Sequence, residues 1–378
     1  MRLMVSGGGT GGHVYPILTV LEAVKQRMDA AGEDLQVLYV GGAENIEANL
    51  ADREGIPFEA IAVGGLRGLS SITMLRNGLK LARGLMQSLS IMRRYRPDVL
   101  FVTGGYVCAP VVTAAWVRGC PALLYLPDIK PGLAVQTLAH LVKEIAVSFE
   151  ASRAYLPTGK VIVTGYPVRG SLQRRTKSVA RESLGLSLDE PVLLVFGGSR
   201  GAHSINVAVA EILTNLVGTC EVLHVCGADD LEWLSDLRQE LPSAQRSRYR
   251  IYGYLHERMG NAMAAADLAI ARAGAATMGE FPAVGLPAIL VPYPYSGRHQ
   301  EPNADYLVAQ GAAVKLDNEL LQEHLWSTVR ELIGDSRCLS AMADRAHGLF
   351  VSNAADRIAM EITRLAGRES LAGWGAGA

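Results

Sequence analysis

Two glycine-rich segments of this sequence combine a phosphate-binding type of backbone with side chains that could take part in proton transfer. The first reads Gly7-Gly8-Gly9-Thr10-Gly11-Gly12-His13, and the second reads Gly197-Gly198-Ser199-Arg200-Gly201-Ala202-His203. Each follows an apolar run and precedes a segment with helical spacing of apolar residues. A strand that turns through glycines into a helix presents N–H groups and a positive dipole end, which suit phosphate. His13 could accept a proton there, or it could merely cap the helix.

The first segment also contains Gly7-x-Gly9-x-x-Gly12, the spacing of the dinucleotide fingerprint. A fold that binds NAD needs an acidic residue at the end of its second strand, where it accepts hydrogen bonds from the ribose hydroxyls. Here that strand is predicted to end in Val40-Gly41-Gly42, and Glu44 follows only after the two glycines. The sequence therefore argues against an NAD-dependent dehydrogenase.

Two polar segments in the second half of the chain suit a nucleotide sugar. In Arg272–Glu280 the small residues allow a ligand to approach the backbone, Thr277 could bond a phosphate, and Glu280 could accept two ribose hydroxyls. The cluster Gly297–Asn303 follows a predicted strand, at the edge where open α/β sheets bind ligands, and its amides and imidazole suit sugar hydroxyls. Without a ligand role, Glu280 would be a surface glutamate and Gly297–Asn303 an ordinary solvent-exposed loop.

These segments must be positioned by an alternation of strands and helices that runs through the whole chain. Thirteen strands are predicted, at Leu3–Ser6, Leu35–Val40, Glu59–Ala62, Val99–Thr103, Ala122–Tyr125, Glu144–Val147, Val161–Thr164, Val192–Phe196, Glu221–Val225, Arg250–Tyr252, Leu268–Ala271, Ala288–Val291 and Ala313–Lys315. Such alternation predicts parallel sheets with helices on both faces. At 378 residues the chain is too long for one core. We predict an α/β protein of two Rossmann-like, doubly wound domains facing a cleft, residues 1–166 and 167–350, with a last helix near 355–365 packing back onto the first.

The segment Ile61–Pro97 carries seven basic residues and no acidic one. A helix with apolar residues and a cationic rim is typical of contact with anionic lipid headgroups. We predict a membrane-contacting patch formed by Arg76, Lys80 and Arg83, with Trp116 as a second anchor. The same pattern would also fit a helix with one buried face and one solvated basic face.

Composition and the motifs that the sequence lacks argue against several classes of protein. A hydrophobic share of 49% with 19% charged residues is typical of a well-buried globular chain, and a net charge of -1 argues against nucleic acid as a partner. Five scattered cysteines without a CxxC pair fit a reducing compartment, and we expect neither a signal peptide nor a transmembrane helix. No Asp-x-Asp occurs, so we expect no metal cofactor; backbone amides, helix dipoles and Arg169 would stabilise a leaving diphosphate.

Taken together, these motifs resemble the MurG family of inverting GT-B glycosyltransferases, from Met1 to about Leu365. The resemblance is carried by Gly8-Gly9-Thr10-Gly11-Gly12-His13, Gly65-Leu66-Arg67-Gly68, Gly104-Gly105-Tyr106-Val107, Pro131-Gly132-Leu133, Pro167-Val168-Arg169, Gly197-Gly198-Ser199, Thr277 with Glu280, and His299-Gln300. It implies inverting transfer of N-acetylglucosamine from UDP-N-acetylglucosamine to the undecaprenyl-diphosphate-linked muramoyl pentapeptide, a step of peptidoglycan synthesis. It also implies peripheral attachment to the cytoplasmic face of the cell membrane, on inner-leaflet anionic lipids.

The resemblance assigns roles to individual residues. The donor-binding set is Thr10, Gly11, Gly12, Asp128, Arg169, Ser199, Tyr254, Leu255, Ala275, Ala276, Thr277, Glu280, His299 and Gln300. Within it, the backbone at Tyr254-Leu255 would read the uracil, Glu280 the ribose, Ser199 and Thr277 the diphosphate, and His299 with Gln300 the sugar. Thr10-Gly11-Gly12 would also hold the acceptor diphosphate. Gly104, Gly105 and Tyr106 would bind the acceptor, with His13 near its reacting hydroxyl as the catalytic base.

The sequence departs from the family pattern in two places. Leu126-Pro127-Asp128 stands where the family usually has Glu-Gln-Asn, which makes Asp128 a second candidate base, and Arg200 replaces the usual glutamine beside Ser199. The acceptor could therefore be another polyprenyl or glycerolipid carrier. A UDP-sugar epimerase or a non-catalytic nucleotide-sugar binding protein would also fit these motifs.

Overall fold

The computed structural model describes residues 1–8, 11–43, 46–64, 71–173, 175–198, 201–295 and 300–368. The chain forms two compact units. The first comprises Met1–Pro167 and the segment that begins at Asn353, and the second is Val168–Ser352.

The first unit is built on a seven-stranded parallel sheet in the order β3-β2-β1-β4-β5-β6-β7. Its strands are β1 (Arg2–Ser6), β2 (Gln36–Gly42), β3 (Phe58–Ile61), β4 (Val99–Val102), β5 (Ala122–Leu126), β6 (Glu144–Val147) and β7 (Val161–Val163). Its first helices are α1 (Gly11–Ala30), α2 (Ile46–Arg53), α3 (Ser71–Tyr95), α4 (Cys108–Arg118) and α5 (Leu133–Leu138), with a 3₁₀ helix at Glu150–Tyr155.

This sheet is buried on both faces because successive apolar side chains point to opposite sides of each strand. In β1, Leu3 and Val5 belong to one core cluster and Met4 belongs to the other. Because both faces are covered, the strands read as nearly continuous apolar runs in the sequence.

The second unit is built on a six-stranded parallel sheet in the order β10-β9-β8-β11-β12-β13. Its strands are β8 (Val192–Phe196), β9 (Glu221–Val225), β10 (Tyr249–Tyr252), β11 (Leu268–Ala271), β12 (Ala288–Leu290) and β13 (Ala313–Lys315). Its helices are α6 (Gly170–Gln173), α7 (Lys177–Leu184), α8 (His203–Glu211), α9 (Leu213–Thr219), α10 (Leu231–Glu240), α11 (Ser243–Arg246), α12 (Met259–Ala265), α13 (Thr277–Val284), α14 (Glu301–Ala309), α15 (Leu321–Gly334) and α16 (Ser336–Gly348), with 3₁₀ helices at His256–Arg258 and Asn318–Leu320.

The last helix, α17 (Ala354–Leu365), returns to the first unit and packs against α1. Its residues Ile358, Ala359 and Ile362 are fully buried in the same cluster as Leu3 and Val5. The Arg364 guanidinium at its end pairs with the Glu144 carboxylate. The first unit therefore depends on a segment from the far end of the chain.

The strand order reverses at the first strand, in chain order, of each sheet. In the first sheet β1 lies between β2 and β4, and in the second β8 lies between β9 and β11. At such switch points the connections leave in opposite directions and open a crevice at the carboxyl ends of the strands, where ligands bind in doubly wound folds. The two glycine-rich segments follow β1 and β8, so the fold places both at such points.

Candidate active site

In the first unit, two glycine-containing loops meet at the carboxyl ends of the neighbouring strands β1 and β4. A Cβ atom placed on Gly105 would lie 2.6 Å from the Gly8 carbonyl oxygen, and one on Gly7 would lie 2.1 Å from Thr103 Oγ1. Gly104 and Gly105 also have positive φ values of 102° and 87°, which side chains rarely tolerate. Gly105 needs to be glycine because it touches the backbone of the first loop, and Gly7 because it touches the Thr103 side chain; these contacts bring the two loops together at the predicted acceptor site.

His13 lies in the first turn of α1 and is oriented by Thr103, the residue that follows β4. Its Nδ1 lies 2.9 Å from the Thr103 carbonyl oxygen, and Thr103 Oγ1 donates to the His13 carbonyl oxygen over 2.6 Å. A carbonyl oxygen only accepts hydrogen bonds, so Nδ1 of the neutral ring carries the proton and Nε2 holds the lone pair. A ring in this tautomer can accept a proton at Nε2, as the predicted base must.

Gly104, Tyr106 and Asp128 lie at the same edge of the sheet as His13. A Cβ atom on Gly104 would be 3.5 Å from the His13 Cε1 atom, and Tyr106 in the following turn is exposed. Asp128 follows β5, the next strand beyond β4, and its side chain is half-buried. The choice between His13 and Asp128 as base stays a prediction.

Two buried polar side chains support the first glycine loop from below. The Tyr39 hydroxyl donates to the Gly7 carbonyl oxygen over 2.5 Å. The Glu47 carboxylate accepts from the Gly42 amide at 3.3 Å and fills the space that a side chain on Gly8 would need. Burial raises the pKa of Tyr39 well above its usual value, so its hydroxyl remains a donor. Sequence reasoning missed both residues because neither belongs to the motif that it holds.

In the second unit, Glu280 lies in the first turn of α13, after β11. Burial raises the pKa of its carboxyl to about 7, and the positive charge of Arg169 opposes this shift. The two predicted donor-binding residues are therefore close enough to interact electrostatically. A carboxylate in this environment gains from hydroxyl donors supplied by a ligand.

Thr277 and its neighbours form the turn that starts α13. The Thr277 hydroxyl donates to the Gly274 carbonyl oxygen over 2.6 Å, and its side chain is buried. To donate to a phosphate, this hydroxyl must therefore break its hydrogen bond with the Gly274 carbonyl oxygen. Ala275 and Ala276 are half-buried in the same turn, where small side chains allow close approach to the backbone.

Gln300 connects the loops that follow β11 and β12. Its Oε1 accepts from the Tyr293 amide at 3.0 Å, and its Nε2 lies near Gly274. Tyr293 stacks against the guanidinium of Arg272, which is buried and donates to the Val291 and Pro292 carbonyl oxygens. The amide group of Gln300 is thus oriented with its NH₂ donors towards β11, which suits the sugar role that the resemblance implies.

The remaining predicted site residues are distributed as follows. Tyr254 and Leu255 follow the edge strand β10; the Tyr254 ring is exposed and lies against His256, and Leu255 is buried. Gly11 and Gly12 open α1. Thr10, Ser199 and His299 lie outside the described residues.

Helices α3 and α4 pack against each other and carry the predicted membrane patch. Lys80 and Arg83 are exposed, Leu79 and Trp116 are 67% and 60% exposed, and Arg76 lies in the first turns of α3. Further along α3, Arg94 instead pairs with Glu59 at 2.5 Å. Over the part of the chain that the structure describes, no helix is long and apolar enough to span a membrane. Over the same part, no three His, Cys, Asp or Glu side chains are grouped as metal ligands.

Comparison with known proteins identifies the family. Residues 3–147 match the glycosyltransferase family 28 N-terminal domain, and residues 192–358 match its C-terminal domain. The UDP-N-acetylglucosamine–N-acetylmuramyl-(pentapeptide) pyrophosphoryl-undecaprenol N-acetylglucosamine transferase of Roseiflexus sp. (strain RS-1) is 39% identical, over 98% of this chain and 97% of that protein. The protein of the same name from Desulforudis audaxviator is 40% identical, over 97% of this chain and 99% of that protein. The chain belongs to this family, the MurG glycosyltransferases.

Solved structures agree with this assignment. The crystal structure of Acinetobacter baumannii MurG has a TM-score of 0.72 at 26% identity, covering 96% of this chain and 99% of that one. The UDP-GlcNAc 2-epimerase from Neisseria meningitidis has a TM-score of 0.66 at 14% identity, a likeness of fold alone. The predicted two-domain GT-B fold and the resemblance to the MurG family are thereby confirmed, and the chain is a glycosyltransferase.

Proposed function

We propose that this protein transfers N-acetylglucosamine from UDP-N-acetylglucosamine to the undecaprenyl-diphosphate-linked muramoyl pentapeptide, with inversion at the anomeric carbon. The observation that carries the proposal is the contact of His13 Nδ1 with the Thr103 carbonyl oxygen at the switch point of the first sheet, in a chain of the MurG family. The product would serve peptidoglycan synthesis, and through it cell shape and cell division.

The first unit would supply the base and the acceptor site. His13 Nε2 takes the proton of the acceptor hydroxyl while its Nδ1–H stays bonded to the Thr103 carbonyl oxygen. The hydroxyl oxygen forms a bond to the anomeric carbon as the bond from that carbon to UDP breaks. Gly104, Gly105 and Tyr106 line the acceptor side, and Thr10 to Gly12 hold its diphosphate.

The second unit would hold the donor. Glu280 accepts hydrogen bonds from the ribose hydroxyls, the backbone at Tyr254 and Leu255 reads the uracil, and Gln300 with His299 contacts the sugar. Ser199, Thr277 and Arg169 take the charge of the leaving UDP, together with backbone amides and helix dipoles. We propose that the reaction needs no metal cofactor, because the sequence contains no Asp-x-Asp pair. Activity that disappears in EDTA and returns with Mg²⁺ would contradict this part.

The protein would work as a peripheral protein on the cytoplasmic face of the cell membrane. The exposed basic residues Lys80 and Arg83 and the exposed apolar residues Leu79 and Trp116 support contact with anionic inner-leaflet lipids. This surface would bring the site to a substrate that is itself held in the membrane by its lipid.

The decisive experiment is an acceptor panel with radiolabelled UDP-N-acetylglucosamine. We expect label transfer to undecaprenyl-linked muramoyl pentapeptide and none to simpler polyprenyl phosphates or glycerolipids. Transfer to one of those carriers instead would replace the proposed acceptor, which is the open question raised by Asp128. Interconversion of the donor without an acceptor would identify an epimerase, and UDP binding without any product would identify a binding protein.

A further inference from the structure

A second oriented histidine follows the second glycine-rich loop. His203 is the first residue of α8, and its Nδ1 lies 2.8 Å from Asp230 Oδ1. The His203 side chain is 74% exposed, whereas that of Asp230 is 11% exposed. The ring therefore has one nitrogen fixed by a nearly buried carboxylate while most of its surface faces solvent.

Asp230 is held as a carboxylate by several donors. Trp233 Nε1 donates to its Oδ1 at 2.8 Å, and Asn206 Nδ2 donates to its Oδ2 at 2.6 Å. Burial alone would raise the pKa of Asp230, but the hydrogen bonds from Trp233, Asn206 and His203 outweigh it and leave the pKa below its usual value. Because an ionised carboxylate only accepts, Nδ1 of His203 carries a proton.

The network continues into the core of the second unit and fixes Asn206. Asn206 Oδ1 accepts from His224 Nε2 at 2.9 Å, and His224 Nδ1 lies 2.8 Å from the Tyr249 hydroxyl. Burial lowers the pKa of His224 to about 3, so this inner ring is neutral and serves only to orient its neighbours. The asparagine amide and, through it, Asp230 are thus locked in one orientation.

This network lies directly under the loop that precedes His203. A Cβ atom on Gly201 would lie 2.1 Å from the Cys226 carbonyl oxygen, the same oxygen that accepts from Asn206 Nδ2 at 2.8 Å. The loop backbone, Asn206 and Asp230 therefore share one anchor at the carboxyl end of β9. The His203 ring is held beside the loop by the same group of residues.

We infer that His203 is a further donor-binding residue: between the Asp230 carboxylate and the bound diphosphate, its ring takes up a second proton from solvent and donates from Nε2 to a phosphate oxygen. The inference rests on the proposed function, which places UDP on this loop. With Nδ1–H bonded to Asp230, a ring with that single proton would present a lone pair at Nε2, and the negative charge of the bound diphosphate favours a second proton there. Of the parts of the donor, only the diphosphate is anionic.

The test compares UDP with uridine, which lacks the phosphates. In His203→Gln, titration calorimetry should show UDP affinity reduced about 10- to 100-fold, the contribution of a hydrogen bond to a charged group, and uridine affinity unchanged. His203→Arg, which keeps a cation, should retain most of the UDP affinity. His324→Gln, a change of an exposed histidine on α15, is the matched control and should bind both ligands like the wild type.

Three results would overturn the inference. If His203→Gln binds UDP within twofold of the wild-type affinity, His203 does not contact the phosphate. An equal loss for UDP and uridine would instead assign the residue a structural role in the loop. If the wild type itself binds no UDP, the proposed function fails together with the inference, and this control identifies that case.

Discussion

Glu280→Gln tests whether the second unit keeps a carboxylate for its ligand at the expense of stability. Burial raises the pKa of Glu280 from its ordinary 4.5 to about 7. The folded protein therefore binds this proton more tightly than the unfolded chain, and the resulting stabilisation, complete below pH 4.5, is lost as the pH rises through 7. The shift corresponds to about 3 kcal/mol at most, and the half-buried side chain reduces this to about 1–3 kcal/mol.

The uncharged amide of Glu280→Gln should remove this penalty. At pH 8 we expect the free energy of unfolding of the second unit to rise by about 1–3 kcal/mol, roughly 2–10 °C in Tm for a unit of this size. At pH 5 the variant and the wild type should melt alike, because Glu280 is then protonated. Scanning calorimetry of the full chain can follow the transition that UDP raises. Glu232→Gln removes an exposed carboxylate from the first turn of α10 and is the matched control.

The same substitution should weaken nucleotide binding. At pH 8, uridine affinity should fall about 10- to 100-fold, because the ribose hydroxyls lose a charged acceptor. In the wild type, uridine affinity should decrease as the pH falls from 8 to 6, and uridine has no phosphate whose titration would confuse the result. The reasoning is refuted if Glu280→Gln is no more stable than the wild type at pH 8, or if wild-type uridine affinity is the same at pH 6 and 8.

Three further predictions concern the first unit. His13→Gln should lower kcat by at least about 10²-fold, the usual contribution of a general base, and leave UDP affinity intact; wild-type turnover would move the base to Asp128. Replacing Lys80 and Arg83 by Glu should abolish sedimentation with anionic vesicles, since each basic residue near such a surface contributes about 1 kcal/mol. Sedimentation that persists would show that these residues form a solvent-exposed basic face and not a membrane contact. Gly105→Ala should destabilise the first unit by about 1–3 kcal/mol in thermal melts, because Gly105 has a φ of 87° and lies against the Gly8 carbonyl oxygen. An unchanged Tm would show that the two loops can separate.

The fold was largely predictable from the sequence because its strands are buried parallel strands. Runs such as Val192–Phe196 are apolar on both faces, so they stand out against the helical periodicity around them. The glycine-rich turns were predictable for a related reason, since they mark where a strand passes directly into a helix. Such elements can be predicted from a short stretch of sequence, because the residues that define them are neighbours in the chain.

The interactions within the site were not predictable, because they join residues far apart in the chain. The acceptor for His13 Nδ1 is the backbone of Thr103, and any residue could supply a carbonyl there. Gln300 is oriented by the amide of Tyr293, and the charge of Arg169 acts on Glu280. The sequence does not show which backbone group a side chain will bond to. It can therefore propose site residues but not the contacts that orient them.

The two glycine-rich loops look alike in sequence, but the histidine that follows each one has a different hydrogen-bond partner. His13 Nδ1 bonds to a carbonyl oxygen, so the lone pair of the neutral ring lies on Nε2, where it could accept a proton. His203 bonds to the Asp230 carboxylate, which also accepts from Trp233 and Asn206, so in the proposed complex its ring would lie between two negative groups. An inverting transfer needs one proton acceptor at the attacking hydroxyl and one positive field at the leaving diphosphate. If the two loops have the proposed roles, similar loop sequences can meet these opposite demands because the group bonded to each imidazole differs: a carbonyl oxygen at His13 and a carboxylate at His203.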